Sequence, residues 1–249
     1  MQFEVKRDTL LKSLNFVQGI VEKKNTLPIL SNVLLQLKEK KLSIVATDLD
    51  IIFYDQIDEV KIQTEGSTTT SAAILYDILR KIPSNSEIRF ELKSENKLSL
   101  KSDNADFNLL CLPTDNFPTF SDEFDGQELN LNSGKFLKLL NKTKISISND
   151  DTRHYLNGVY IHLTEIQGRN FLTGVATDSH RLSSSSVEIK NINNFSALIL
   201  PRKTVYQLCS LLSETTETLV IQLSENKIKF SIGNMKLVSK VIDGKFPDY

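Results

Sequence analysis

Val45-Ala46-Thr47-Asp48 returns 130 residues later as Val175-Ala176-Thr177-Asp178, and that recurrence decides how the chain divides. Ser94-Glu95-Asn96-Lys97 returns at the same interval as Ser224-Glu225-Asn226-Lys227. Tyr76, inside Ile74-Leu75-Tyr76-Asp77-Ile78-Leu79, stands 130 residues before Tyr206, inside Thr204-Val205-Tyr206-Gln207-Leu208-Cys209. Phe117-Pro118 matches Phe246-Pro247 at an interval of 129, and Leu11-Lys12-Ser13-Leu14-Asn15 matches Leu137-Lys138-Leu139-Leu140-Asn141 at 126. Five matches in one order at nearly one interval define a tandem repeat. The expected domains are 1–125 and 126–249, joined by the polar segment Ser121–Glu128. Because the second Phe-Pro stands almost at the end, the chain reads as one cut at a domain boundary, with further repeats possible beyond it.

Within a repeat the pattern mixes helices and short strands. Leu10, Leu11, Leu14, Val17 and Val21 fall at helical spacing over Asp8–Val21, with Asp8 as the expected N-cap. Val33–Leu37 and Leu42–Thr47 are short apolar runs around Lys38-Glu39-Lys40-Lys41, a hairpin signal. A second helix is expected over Ala72–Ile82, stopped by Pro83, and strands over Glu87–Leu92, Lys97–Lys101 and Phe107–Leu112. The fold class is α+β: two tandem domains, each of two helices on roughly six to eight strands. Short connections favour antiparallel sheets.

Composition bounds the function. Hydrophobic residues make up 40% and charged residues 24% of 249, enough for a packed core and too ordered a mix for wholesale disorder. No apolar run approaches the roughly 18 residues of a membrane span, and Met1–Lys6 reads as a strand, not a signal peptide. Cys111 and Cys209 each lie in an apolar stretch and read as buried hydrophobes of a reducing compartment. The expected location is the cytoplasm.

The net charge of −1, from 30 basic and 31 acidic residues, conceals a division. The helical windows Lys6–Lys24, Ala72–Ile82, Gly134–Ser148 and Pro201–Ser213 together carry a net +10, leaving −11 for everything else. Gly134–Ser148 alone holds Lys135, Lys138, Lys142 and Lys144 and no acid. Lysine faces without interleaved aromatics neutralise phosphates without reading bases.

Each repeat also serves as a control for the other. Both copies keep Thr-Asp, so Asp48 and Asp178 read as turn residues and not as catalytic carboxylates. After the Asp the copies diverge: Leu49-Asp50-Ile51-Ile52-Phe53-Tyr54 reads as a buried strand, while Ser179-His180-Arg181-Leu182-Ser183-Ser184-Ser185-Ser186 is polar and small. A strand emptied of large apolar side chains looks like the wall of a groove. Asp178 and His180 are too few for a metal site, and His154 and His162 add no ligand spacing. The chain holds no Gly-x-Ser-x-Gly elbow, Walker loop or Gly-x-Gly-x-x-Gly. Catalysis, metals and cofactors are therefore not expected.

Thr26-Leu27-Pro28-Ile29-Leu30, Arg153-His154-Tyr155-Leu156-Asn157-Gly158, Ala176-Thr177-Asp178-Ser179-His180-Arg181-Leu182, Pro201-Arg202-Lys203 and Asp243-Gly244-Lys245-Phe246-Pro247-Asp248-Tyr249 together resemble the bacterial beta sliding clamps, processivity subunits of DNA polymerase III. The resemblance runs the length of the chain, in order, and covers the first two of the family's three clamp domains. It implies helices lining a ring around double-stranded DNA and sheets on the outside. Lys24, Arg80, Arg202 and Lys203 would face DNA, with Arg153 and Tyr155 in the nearby Asn149–Tyr155 loop. Lys135, Lys138 and Lys142 join them from the charge count. Position 73, often basic in relatives, is Ala73 here. A groove for short extended peptides ending in Leu-Phe-like pairs would be walled by Leu156, Thr177, Ser179, His180, Arg181, Leu182 and Pro247, with Ser179 where relatives carry glycine. The implied partners are the polymerase III alpha subunit, the clamp loader and other carriers of that motif. The family ring is a head-to-tail homodimer in which a first domain meets a third. The present chain is therefore expected to be a monomer with a partial groove. Two competing readings are a magnesium nuclease using Asp48, Asp50 and Asp178, and a peptide scaffold with no DNA role.

Overall fold

A computed structural model of the chain describes residues 1–22, 27–103, 105–118, 124, 126, 128–189 and 195–249. They group into two compact units, Met1–Asp122 with Asn234–Lys236, and Glu123–Gly233 with Leu237–Tyr249.

In the first unit β1 (Gln2–Lys6) runs straight into α1 (Arg7–Ile20). Asp8 is not the N-cap expected from the sequence. Lys6 holds that position in an extended conformation, because the strand continues up to the helix. Asp8 sits inside the first turn instead, where its carboxylate accepts the Asn85 amide at 2.7 Å and suits the positive helix end. A hairpin of β2 (Asn32–Lys38) and β3 (Lys41–Thr47) turns at Glu39 and Lys40, whose φ of 53° and 62° suit the twist of the paired strands. Then come β4 (Ile51–Ile57), β5 (Val60–Thr64), β6 (Gly66–Ser71), α2 (Ala72–Lys81), β7 (Glu87–Ser94), β8 (Lys97–Ser102) and β9 (Ala105–Leu112).

Nine strands exceed the expected six to eight. The surplus is β5 and β6, whose Val60-Lys61-Ile62-Gln63-Thr64 and Gly66-Ser67-Thr68-Thr69-Thr70-Ser71 have little apolar alternation to betray them. The strand order is β4-β3-β2-β6-β9-β8-β7-β1-β5, each neighbour antiparallel. Leu10, Leu14, Val17 and Ile20 of α1 are buried. Phe16 of the same helix tilts onto Phe53 of β4 at 5.8 Å, and Phe3 stacks on Phe90 at 4.7 Å.

The second unit contains β10 (Glu128–Asn132), α3 (Ser133–Thr143), β11 (Gly158–Ile166), β12 (Arg169–Thr177), β13 (Leu182–Glu188), β14 (Leu198–Pro201), α4 (Arg202–Ser213), β15 (Thr218–Leu223), β16 (Lys227–Ile232) and β17 (Met235–Lys240). One sheet runs β13-β12-β11-β14, and β10-β15-β16-β17 form a second run. Asn132 caps α3 by accepting the Lys135 amide at 3.0 Å. The helix ends at Thr143, well before the expected Ser148. There the Thr143 hydroxyl turns back onto the carbonyls of Leu139 and Leu140 at 3.0 and 3.3 Å, and a 3-10 turn, Lys144–Ser146, follows. Gly174 of β12 lets α3 sit close: a β-carbon there would lie 2.5 Å from Leu139 Cδ2. Phe136 of α3 packs on Phe230 at 6.2 Å. Cys111 and Cys209 are free and buried, one in each unit.

One buried charge stands out in the first unit. Asp55 on β4 accepts the Ser13 hydroxyl from α1 and the Gln56 amide, the latter at 2.8 Å. Burial nevertheless pushes its pKa up, against those hydrogen bonds and the field of Lys12. The folded carboxyl holds its proton more tightly than the unfolded one. Its contribution to stability is thus whole below the ordinary carboxylate range and is lost as pH rises through the raised value. Asp55→Asn is expected to raise the urea midpoint at pH 7 and to gain less at pH ~4, as falling pH lets the parent take up its proton. Denaturation curves at the two pH values check this, and an equal gain at both would contradict it.

Candidate functional site

The shared Thr-Asp tetrapeptide ends β3 and β12 in the same hydrogen-bonded turn. In the second unit the Thr177 hydroxyl donates to the Arg181 carbonyl at 2.8 Å and accepts the Ser179 amide at 3.1 Å. Asp178 Oδ1 accepts the His180 and Arg181 amides, both at 3.0 Å, and Oδ2 accepts Arg181 Nε at 3.0 Å. In the first unit Thr47 donates to the Ile51 carbonyl and accepts the Leu49 amide, both at 2.9 Å, while Asp48 accepts the amides of Asp50 and Ile51. Both carboxylates are committed to backbone, as their recurrence in the two copies suggested. The backbone amides of His180 and Arg181 hold the Asp178 pKa below its usual value, chiefly by bonding the charged form.

Such a turn forces its third residue left-handed: Leu49 has φ 80° and Ser179 φ 77°. Glycine reaches that region at no steric cost, so Ser179 holds a conformation that favours glycine. The serine gains something in return, because its hydroxyl accepts a hydrogen bond from Arg153 Nη1. Arg153 also pairs with Asp150 at 2.8 Å through Nε. It ties the 3-10 turn Asp151–Leu156 to the groove turn, a role that sequence reasoning missed when it placed Arg153 only toward DNA.

Beyond the turn, β13 pairs with β12 from Thr177↔Leu182 to Phe171↔Glu188. Its Leu182, Ser184, Ser186 and Glu188 are exposed, and Leu182 retains 48% of its surface. Behind them Thr164, Thr173 and Ser186 form a hydroxyl chain at 2.6 and 2.8 Å. The sequence-predicted Thr177, Ser179, His180, Arg181 and Leu182 are therefore one contiguous surface. Leu156 is not part of its open wall. It is 2% exposed and is buried with Val175, Ile199 and Phe246.

Pro247 is exposed beside Phe246, which is buried and stacks on Tyr160 at 4.9 Å. Tyr160 stacks in turn on His162 at 4.8 Å, and His162 Nε2 is hydrogen-bonded to the Tyr249 hydroxyl at 2.6 Å. Gly244, at φ 153°, lets the segment pass Tyr155, where a β-carbon would stand 3.1 Å from Tyr155 Cβ. The recurring Phe-Pro was the available signal for this anchor. In the first unit Phe117 packs with Ile29 and Leu30, against Val45. In both units the Phe lies in a cluster with which the Val of the recurring tetrapeptide packs.

The candidate DNA-facing cations are carried mainly by the helices. Lys135, Lys138 and Lys142 are exposed and spaced to share one side of α3. Arg202 is exposed and Lys203 half-buried in the first turn of α4, and Arg80 is exposed near the end of α2. Tyr155 is half-buried against the Leu156 cluster, and Lys24 lies outside the described residues. Among the described residues, Arg80, Lys135, Lys138, Lys142 and Arg202 pair with no carboxylate. Sheet cations do: Lys41 with Asp58 at 3.1 Å, Arg89 with Glu4, Lys61 with Glu87, Lys101 with Asp106 at 2.9 Å, and Arg169 with Glu188 at 3.9 Å.

Two α+β units of repeated design, with the family models they match, place the chain in the DNA-clamp class. The family model for the DNA polymerase III beta subunit, N-terminal domain, matches residues 1–121, and that for the central domain matches 130–248. A beta sliding clamp of Caulobacter vibrioides is 37% identical over 251 residues, covering 100% of this chain and 67% of the relative. That of Escherichia coli K12 is 36% identical over 249 residues, with the same coverage. A Caulobacter crescentus beta sliding clamp crystallised with polyethylene glycol superposes with a TM-score of 0.95 at 37% identity, over 100% of this chain and 66% of that one. A Bartonella birtlesii sliding clamp bound to griselimycin gives 0.94 at 39%, over 100% and 67%. The chain belongs to the DNA polymerase III beta subunit family, the beta sliding clamps, and spans about two thirds of the length of the relatives it matches. That family is a non-catalytic processivity factor.

The turn supplies a direct test. Asp178→Ala is expected to speed hydrogen exchange at the His180 and Arg181 amides while leaving the β11–β12 ladder protected. In the parent, protection conferred by the charged carboxylate should persist through the ordinary carboxylate range and fade only as pH falls through the lowered value. Unchanged exchange in the variant would show that Asp178 does not hold the turn.

Proposed function

We propose that this chain supplies two domains, 1–125 and 126–249, of a ring that holds DNA polymerase III on double-stranded DNA without reading its sequence. The observation that carries the reading is a contrast in pairing among the described residues: the strand cations Lys41, Lys61, Arg89, Lys101 and Arg169 meet carboxylates, whereas the helix cations Arg80, Lys135, Lys138, Lys142 and Arg202 meet none. Unpaired lysines and arginines at short spacing attract phosphates diffusely, which permits sliding because no single contact is strong. Arg80 in the first unit, and Lys135, Lys138, Lys142, Arg202 and Lys203 in the second, are the proposed phosphate-facing residues, together with Arg153 and Tyr155; Lys24 joins them from the resemblance alone. The nucleotidyl transfer belongs to the polymerase it serves, and the setting is the cytoplasm.

The groove of Thr177, Ser179, His180, Arg181, Leu182 and Pro247 takes short extended peptides from the alpha subunit, the clamp loader and other motif-bearing partners. The site that binds griselimycin in the Bartonella relative suits this role. Burying two or three apolar peptide side chains contributes about 1.5–3 kcal/mol each before ordering costs. The whole protein closes as a head-to-tail homodimer, and the present segment by itself is a monomer whose groove is partial.

The decisive experiment loads the full reading frame, with its clamp loader and ATP, onto nicked circular DNA and compares retention before and after one linearising cut. Loss on linearisation is expected, because a ring slides off an end. Equal retention on both forms would mean ordinary affinity and would overturn the reading. Replacing Lys135, Lys138 and Lys142 together by Glu should weaken binding of this chain to a short duplex at low salt by at least tenfold, a magnitude set by inverting three phosphate contacts. Anisotropy titration reads it.

A further inference from the structure

Resting on that reading, one feature of the helices goes beyond the residues already assigned. Tyr76 on α2 and Tyr206 on α4 stand 130 residues apart, and each carries a cation over its ring. Arg80 Cζ lies 5.5 Å from the Tyr76 centroid, and Lys144 Nζ lies 5.5 Å from the Tyr206 centroid. The two cations come from different places. Arg80 follows Tyr76 by one helical turn, whereas Lys144 reaches over from the 3-10 turn that closes α3. Different sources converge on one arrangement.

The arrangement has a physical consequence that an ion pair lacks. A carboxylate would hold the cation in place and cancel its charge. An aromatic face restrains the side chain through its quadrupole and leaves the charge available. Neither Arg80 nor Lys144 pairs with a carboxylate among the described residues, and Lys144 also interacts with the Cys209 thiol. Burial raises that thiol's pKa, so it stays neutral and leaves the ammonium charge intact. Tyr206 keeps 47% of its surface, and Arg202, one turn earlier, shares its side of α4. The ring is exposed on the basic face.

We propose that each unit carries a preorganised phosphate contact for duplex DNA made of a tyrosine and the cation it holds: Tyr76 with Arg80, and Tyr206 with Lys144. The cation meets a phosphodiester oxygen without first giving up the freedom of an unrestrained side chain, and the tyrosine hydroxyl donates to a neighbouring oxygen. The bases are not read.

The test titrates a fluorescent 30-base-pair duplex with the 249-residue chain across a salt series. Lys144→Gln should weaken binding and lower the slope of log K against log salt by roughly one, since one phosphate contact is lost. Tyr206→Leu should weaken binding about twofold to fivefold with the slope unchanged, because the lysine keeps its charge and loses only its restraint. Tyr206→Phe should fall between parent and Tyr206→Leu, and Lys144→Arg should restore the slope. The thermal midpoints of Tyr206→Phe and Lys144→Arg are expected to match the parent, which separates contact from folding. Parental binding by Lys144→Gln and Tyr206→Leu, with the Lys135/Lys138/Lys142 triple variant impaired, would overturn this proposal and leave the clamp reading standing. Parental binding by all of them would overturn both.

Discussion

The burial of Phe246 in the cluster that holds Val175 is the interaction on which the second unit's surface depends. Phe246 lies two residues after Gly244, sinks into the cluster of Leu156, Val175 and Ile199, and stacks on Tyr160. That burial pins an otherwise irregular segment to the face of the β13-β12-β11-β14 sheet, beside the turn that carries Ser179 to Leu182. Without it Pro247 would have no fixed place and the groove no second side. Phe117 makes the matching closure in the first unit, in a cluster that Val45 packs against, and the strand after that turn buries Ile51 and Phe53.

The same economy governs the helices. Each buries one stripe: Phe136, Leu139 and Leu140 in α3, and Val205, Leu208, Leu211 and Leu212 in α4. Once Gly174 admits Leu139 to the sheet, the lysines of α3 have only the opposite side to occupy. Their unpaired state follows from composition, since α3 contains no acid to meet them. Near-neutral net charge and a basic face are thus compatible, because most of the acids lie on the sheets and loops and none on α3 or α4.

The sequence made the recurring elements legible, and what it hid has local causes. The 130-residue interval located the turn, the helices and the equivalence of Tyr76 with Tyr206, because each copy constrained the reading of the other. β5 and β6 were obscured by lysine, threonine and serine in place of alternating apolar residues. The end of α3 was obscured because Thr143 stops the helix through its own hydroxyl, a signal weaker than proline or glycine. Thr177 to Leu182 are neighbours in the chain and form the turn and strand start together. The places of Leu156 and Arg153 were hidden, because burial with Phe246 and a hydrogen bond to Ser179 link segments far apart in the chain. Such links leave no trace in spacing.

The two cysteines give the molecule a built-in pair of clocks. Each unit encloses one free thiol, Cys111 in the first and Cys209 in the second, and the chain has no others. A buried thiol reacts with an alkylating reagent only when its surroundings open, so the labelling rate at each cysteine counts openings of its own unit. Mass spectrometry of the two peptides would then follow the breathing of each half separately, with no probe added and no residue changed.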